Sequence, residues 1–222
     1  MLSWFKKTYH DLPDFWLAYD AKFESKITPP HRYVVLDTET TGFDTKNDRI
    51  LSIGAVTVFN QTINVDNTLE IFLQQDVFNP KTVAIHGILK DDDELDTISE
   101  LESLKLFLVY IGNAILVAHH AHFDITMINN ALNRHGLPKL KNKVLDTGYL
   151  FKKSRIRSNL INQQENYSLD AVADALSVTI QDRHTAIGDA YITALVFLKL
   201  KASLAKLKKI KEEDLIKIAA VL

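Results

Sequence analysis

The chain has 222 residues, 46% of them hydrophobic and 24% charged, which suits one sizeable core or one core with a small appendage. Its formal net charge of -2 excludes a bulk positive field, so attraction to a polyanion has to come from local patches or bound cations. The absence of cysteine excludes disulfides and thiolate zinc sites and fits a reducing compartment. The opening MLSWFKKTYHDLPDFW has no apolar stretch long enough for a signal peptide, and no later segment has the length to span a bilayer. A cytoplasmic protein without membrane contact is the expectation.

Residues 1–30 form an expected N-terminal helical extension. Aromatic side chains crowd there (Trp4, Phe5, Phe15, Trp16, Tyr19, Phe23), and TPP at 28–30 is a stiff break before the first strand. A short helix is expected over about 14–25, with Asp14 as cap and Phe15, Tyr19 and Phe23 at helical spacing. These aromatics either pack back onto the main domain or face a partner; packing is the favoured reading.

The main domain is placed at 31–202. YVVLDTE, ILSIGAVTVF and TLEIFLQ are β-branched or alternating runs, parted by GFDTKND and the polar NQTINVDN. Connections this short favour antiparallel neighbours. TISELESLKLFLVYIG follows as a helix with an apolar stripe at Ile98, Leu101, Leu104, Leu108 and Ile111. AILVAHH is then a strand, DITMINNALNRHG a helix ended by Gly136 and Pro138, and KVLDTGYLF a final strand running into a turn. Helices are expected at about 168–177 and 186–202, and a lysine-rich amphipathic helix at 203–222 with the stripe Leu200, Leu204, Leu207, Ile210. The long polar connection 152–168 carries Lys152, Lys153, Arg155 and Arg157, which either contact phosphates or are simply solvated. Three strands followed by alternating helices and strands give a mixed α/β sheet of five strands with helices on both faces.

Acids and histidines stand where a pure core would not want them. Asp37 and Glu39 lie one residue apart at the end of an apolar strand, so their side chains share a face. Two anions held that close need a lysine, an arginine or a metal ion between them. In VAHHAHFD, Asp124 opens a helix just after a buried strand; in RHTAIGDA, His184 precedes Asp189 by five residues. Each alone has a plain structural reading: a solvated turn, a favourable helix N-terminus, a surface histidine. Together they make a hard-oxygen set suited to Mg²⁺ or Mn²⁺ rather than zinc. Two such ions about 3.5–4 Å apart clamp the attacking and leaving oxygens of a phosphoryl displacement. His119, His120 and His122 lack the H-E-x-x-H spacing of a helical zinc site.

DTETTG, VAHHAHFD and HTAIGDA, in that order, resemble the three motifs of the DEDDh 3′–5′ exonucleases of the RNase H-like superfamily, the group containing the proofreading subunit of bacterial DNA polymerase III. The likeness runs over about residues 32–200. It implies an RNase H-like sheet and two metal ions held by Asp37, Glu39, Asp124 and Asp189. It implies His184 as the general base, with Thr40, Thr41, Gly42 and His86 around the terminal nucleotide. The family's second motif usually has Asn where this chain has His120, so a contact to the substrate or to a metal ligand differs there. The implied activity is removal of 5′-mononucleotides from single-stranded or frayed DNA 3′ ends, in proofreading or repair, alone or beside a polymerase. RNA is the alternative substrate of the same chemistry, and a non-catalytic nucleic-acid-binding or polymerase-scaffolding module is the alternative of another class.

Overall fold

The computed structural model describes residues 12–24, 30–77, 79–89, 95–155 and 167–219. Trp4, Phe5, Thr28, Pro29, Arg157 and most of the polar connection lie outside them, as does the side chain of Leu207. The sheet holds β1 (Tyr33–Thr40), β2 (Ile50–Phe59), β3 (Thr62–Leu73), β4 (Thr97–Ile98), β5 (Ile115–Ala118) and β6 (Val144–Asp146). Its order is β4-β3-β2-β1-β5-β6. β1, β2 and β3 pair antiparallel, as their short connections require, and the remaining pairs are parallel.

The sheet has six strands rather than the five expected. Thr97 and Ile98 pair with Phe72 and Leu73 on the β3 edge, and the helix begins only after Ser99, whose Oγ caps it. A two-residue strand leaves almost no periodic signal, so only the edge of β3 reveals it. β3 also starts earlier than TLEIFLQ. Asn60 and Gln61, both left-handed at φ 48° and 64°, form the two-residue turn that twists with a hairpin. The polar stretch after them therefore pairs with β2.

The helices are α1 (Asp14–Ala21), α2 (Pro80–His86), α3 (Glu100–Ile111), α4 (His122–Arg134), α5 (Thr147–Ser154), α6 (Leu169–Ala175), α7 (Ala186–Lys208) and α8 (Glu212–Ala219). Asp146 caps α5 by accepting from Tyr149 N–H at 3.0 Å, which turns the expected turn after β6 into a helix. α7 runs through the expected boundary at 202 and 203 to Lys208, where a left-handed residue, Lys209, ends it. Among the described residues no helix is long and apolar enough to cross a membrane.

Each sheet face has its own core. Val34, Leu36, Leu116 and Ala118 pack with α1, α3 and α4 residues such as Trp16, Phe107 and Ile128. Tyr33, Val35, Ile115 and Val117 pack on the opposite face with Phe197 and Leu200 of α7 and residues of α5, α6 and α8. The alternation along β1 is thus explicit: even positions face α4 and odd positions face α7.

α1 docks on α3. Asp14 lies in its first turn, while extended Pro13 holds the cap position without a side-chain bond. Trp16 and Tyr19 are buried. The Tyr19 hydroxyl donates to Asn142 Oδ1 at 2.6 Å and accepts from Lys141 N–H at 2.9 Å. These aromatics pack onto the domain rather than facing a partner, and emptying a buried aromatic site of this kind costs about 3–5 kcal/mol.

Candidate active site

The alternation of β1 decides which acids meet. Asp37 and Glu39 continue the odd face, toward α7, whose first turn carries Asp189. One carboxylate oxygen from each of Asp37, Glu39 and Asp189 lies within 4.8 Å of the others. Thr38 points the other way, and there Asp124 of α4 accepts from Thr38 N–H at 3.0 Å and from its hydroxyl at 2.7 Å. The four acids therefore approach the end of β1 from both faces of the sheet, three in one group and Asp124 from behind.

Their crowding shows in their protonation. Burial, then Asp124, Asp189 and Glu39 together, push Asp37 well above the usual carboxylate range, with Arg183 opposing. Glu39 is pushed up to about 8 by burial and by Asp189 and Asp124, again against Arg183. Burial raises Asp124 to about 7, opposed by its Thr38 bonds and helped by nearby Asp146. Asp189 Oδ1 is buried with no hydrogen-bond partner. Three convergent carboxylates, one with an orphaned acceptor, fit a hard divalent cation, and Asp37, Glu39 and Asp189 could hold one. They are the one group of three such ligands among the described residues. The three histidines form no comparable group: both ring nitrogens of His119 are engaged, by Thr147 Oγ1 at 2.8 Å and by Tyr167 O at 2.6 Å. A carbonyl only accepts, so Nε2 carries the proton, and burial holds His119 neutral, down to about 4.

Several contributors have no sequence motif of their own. Gly54 stands opposite Asp37 on β2. A Cβ there would lie 2.1 Å from Ala186 C and 2.2 Å from Ile187 N, so only glycine lets α7 start close enough to deliver Asp189. Arg183 answers part of the charge question: its guanidinium pairs with Asp189 Oδ2 and reaches Asp170 at 2.7 and 3.2 Å. Asp146 accepts from Ala121 N–H at 2.8 Å and Tyr149 N–H, tying β6 to the turn that leads into Asp124.

The remaining expected residues are placed as follows. His184 is exposed in the turn before α7, left-handed at φ 65°. His120 is exposed and left-handed at φ 57°, a conformation that both Asn and His adopt more readily than most residues; the exchange at this position therefore keeps the backbone. The Thr41 hydroxyl is buried and donates to Asp48 Oδ1 at 2.8 Å, so its side chain braces the loop. The Thr40 hydroxyl donates to Gly42 O at 2.8 Å. His86 Nδ1 accepts from Ile88 N–H at 3.0 Å; its Nε2 is buried without a partner and burial keeps the ring neutral. An N–H donor is therefore left at Nε2. Phe43, 80% exposed, leans on Phe123 at 5.9 Å between ring centroids, beside Asp124.

Residues 34–197 match a family model described as Exonuclease. The chain is 35% identical over 204 residues to the DNA polymerase III PolC-type protein of Caldanaerobacter subterraneus subsp. tengcongensis, covering 90% of this chain and 13% of that protein. It is 36% identical over 179 residues to its Clostridium perfringens namesake, covering 80% of this chain and 11% of that one. The chain thus spans a small fraction of these relatives' length. Among solved structures, Exonuclease X in complex with 5′ overhanging duplex DNA superposes with a TM-score of 0.61 at 23% identity, covering 84% of this chain and 98% of that one. E. coli Exonuclease I in complex with a dT13 oligonucleotide superposes with a TM-score of 0.67 at 16% identity, covering 81% and 43%. At such identities these two attest the fold.

Proposed function

This chain belongs to the exonuclease family, and on that premise we propose that it is a divalent-metal-dependent 3′–5′ exonuclease. It removes 5′-mononucleotides from single-stranded or frayed DNA ends. The observation that carries the reading is the convergence of Asp37, Glu39 and Asp189 within 4.8 Å at the end of a buried strand, with Asp124 behind them. A pair of Mg²⁺ or Mn²⁺ ions bound there supplies Lewis-acid activation of water and neutralises charge developing on the phosphodiester.

The chain's own residues do the rest. His184 takes a proton from the attacking water as its oxygen bonds to phosphorus. The bond from phosphorus to the 3′ oxygen of the shortened strand breaks, and that oxygen leaves as a hydroxyl after gaining a proton. The 41–43 backbone and the His86 Nε2–H group surround the terminal nucleotide, and Phe43 with Phe123 offers a stacking face that tolerates any base. His120 replaces the amide of the usual Asn with an imidazole contact. All five positions of the catalytic set are intact, which favours catalysis over a purely binding role. The polymerase names of the relatives and the DNA in the solved complexes support DNA as substrate and a replication or repair partner; the cysteine-free composition supports a cytoplasmic setting.

The test gives purified protein matched 3′-labelled and 5′-labelled DNA and RNA oligomers with Mg²⁺ or Mn²⁺. Stepwise loss of 3′ label from DNA, blocked by a 3′-phosphate and indifferent to a 5′ block, is expected. Faster loss from RNA would make it an exoribonuclease, and equal cleavage of 3′-blocked and free ends would refute the polarity.

A further inference from the structure

The turn from β1 to β2 is built around one carboxylate. Asp48 Oδ1 accepts the Thr41 hydroxyl at 2.8 Å, and Oδ2 accepts Asp44 N–H at 2.8 Å. The same Thr41 oxygen accepts from Arg49 N–H at 3.0 Å, and Thr41 N–H donates to Arg49 O at 2.9 Å. Two neighbours brace the turn from outside. Asn79, the cap of α2, donates to Thr41 O at 2.8 Å, and Asn130 of α4 donates to Thr45 O at 2.7 Å.

Gly42 completes the lock. A Cβ on it would lie 2.4 Å from Asp48 Oδ2, 2.8 Å from Cγ and 2.9 Å from Oδ1. Its backbone is not in the left-handed region, so the glycine is required for the close approach of that carboxylate and for no turn of its own. The segment so fixed begins two residues after Glu39 and holds an aromatic ring, Phe43, 80% out in water over Phe123. An apolar ring kept exposed by a bonded frame on both sides is a preformed contact surface rather than a packed core element.

We propose that Asp48 is a positioning residue for substrate: it fixes the Thr41–Phe43 backbone and the Phe43 ring where the terminal nucleotide binds, without touching that nucleotide. The inference rests on the nuclease reading for the identity of the substrate. It deepens that reading by assigning nucleotide affinity to a carboxylate outside the metal group.

The test measures binding of fluorescein-labelled oligothymidylate by anisotropy in Ca²⁺, with Mn²⁺-induced melting shifts alongside. Asp48→Ala weakens binding by about tenfold, the size of one well-made hydrogen-bonded contact. Gly42→Ala does the same, because its methyl group evicts the carboxylate. The double variant binds no worse than Asp48→Ala alone, since the clash then has no partner. Asp48→Asn is intermediate: its one carbonyl oxygen serves only one of the two donors. In all four the Mn²⁺ melting shift stays at the wild-type size, because Asp37, Glu39 and Asp189 are untouched. Unchanged binding in Asp48→Ala overturns the proposal, as do Gly42→Ala and Asp48→Ala costs that multiply in the double variant. If Asp48→Ala does not fold, Asp48→Asn and Gly42→Ala carry the same comparison. Wild type that binds the oligomer but hydrolyses nothing with Mn²⁺ sinks the nuclease reading and leaves the binding comparison in force.

Discussion

Gly54→Ala probes how the acids are brought together without altering any of them. The added methyl carbon would sit 2.1 to 2.3 Å from backbone atoms of Ala186 and Ile187, where ordinary contact begins at 3.4 Å. Backbone cannot swing aside as a flexible side chain does, so the start of α7 must retreat by about 1 Å or more. Asp189 rides on that first turn. Metal ligands tolerate only about ±0.2 Å, and a misplacement of about 1 Å near reacting atoms costs about 10²-fold in rate. Overpacking itself costs about 1–3 kcal/mol, and each kcal/mol lowers the Tm by roughly 2–4 °C at this size. The expected outcome is a folded protein with a modestly lower Tm, at least about 10²-fold slower oligonucleotide hydrolysis, and most of its Mn²⁺ melting shift lost. A Gly54→Ala enzyme with wild-type rate and a wild-type Mn²⁺ shift would refute the close-approach argument.

The acid cluster also sets a pH dependence. Glu39 and Asp124 titrate at about 8 and about 7 in the folded state, against 4.5 and 3.8 for the free groups. The folded protein therefore holds more protons than the unfolded chain, and stability is lost as pH rises toward 8. His119, lowered from 6.5 to about 4, works the opposite way below that range, so Tm is compared in chelator between about pH 6.5 and 8. A fall of a few kcal/mol is expected, reversed by Mn²⁺ and flattened in Glu39→Gln; a Tm that climbs over this interval in chelator contradicts it. His184→Ala should cut turnover by about 10²–10⁴-fold while keeping the Mn²⁺ melting shift, because the carboxylates remain. A near-normal rate in the variant would remove His184 from the mechanism.

The clustered acids were legible from local pattern because a strand alternates its side chains and buried runs are apolar. Asp37 and Glu39 announced a shared face at the end of YVVLDTE, and Asp124 and Asp189 announced helix starts beside buried surface. The antiparallel β1–β2–β3 meander followed from short connections, and the helix carrying Tyr19 from the spacing of Phe15, Tyr19 and Phe23. The tertiary structure alone decided which acids form one group. Asp124 comes from the α4 face and Asp189 from the α7 face, a division that depends on which helix covers which side of the sheet. It also supplied Gly54 against Ala186, Arg183 against Asp170 and Asp189, and Asp48 against Gly42. The two-residue β4, the α5 helix in place of a turn, and α7 running on to Lys208 likewise depend on partners or caps rather than on periodicity. Apolar period and strand-end charge are properties of adjacent residues and survive in one dimension. Close approach, shared counter-charges and edge pairing are relations between residues that meet only once the sheet and its helices have packed.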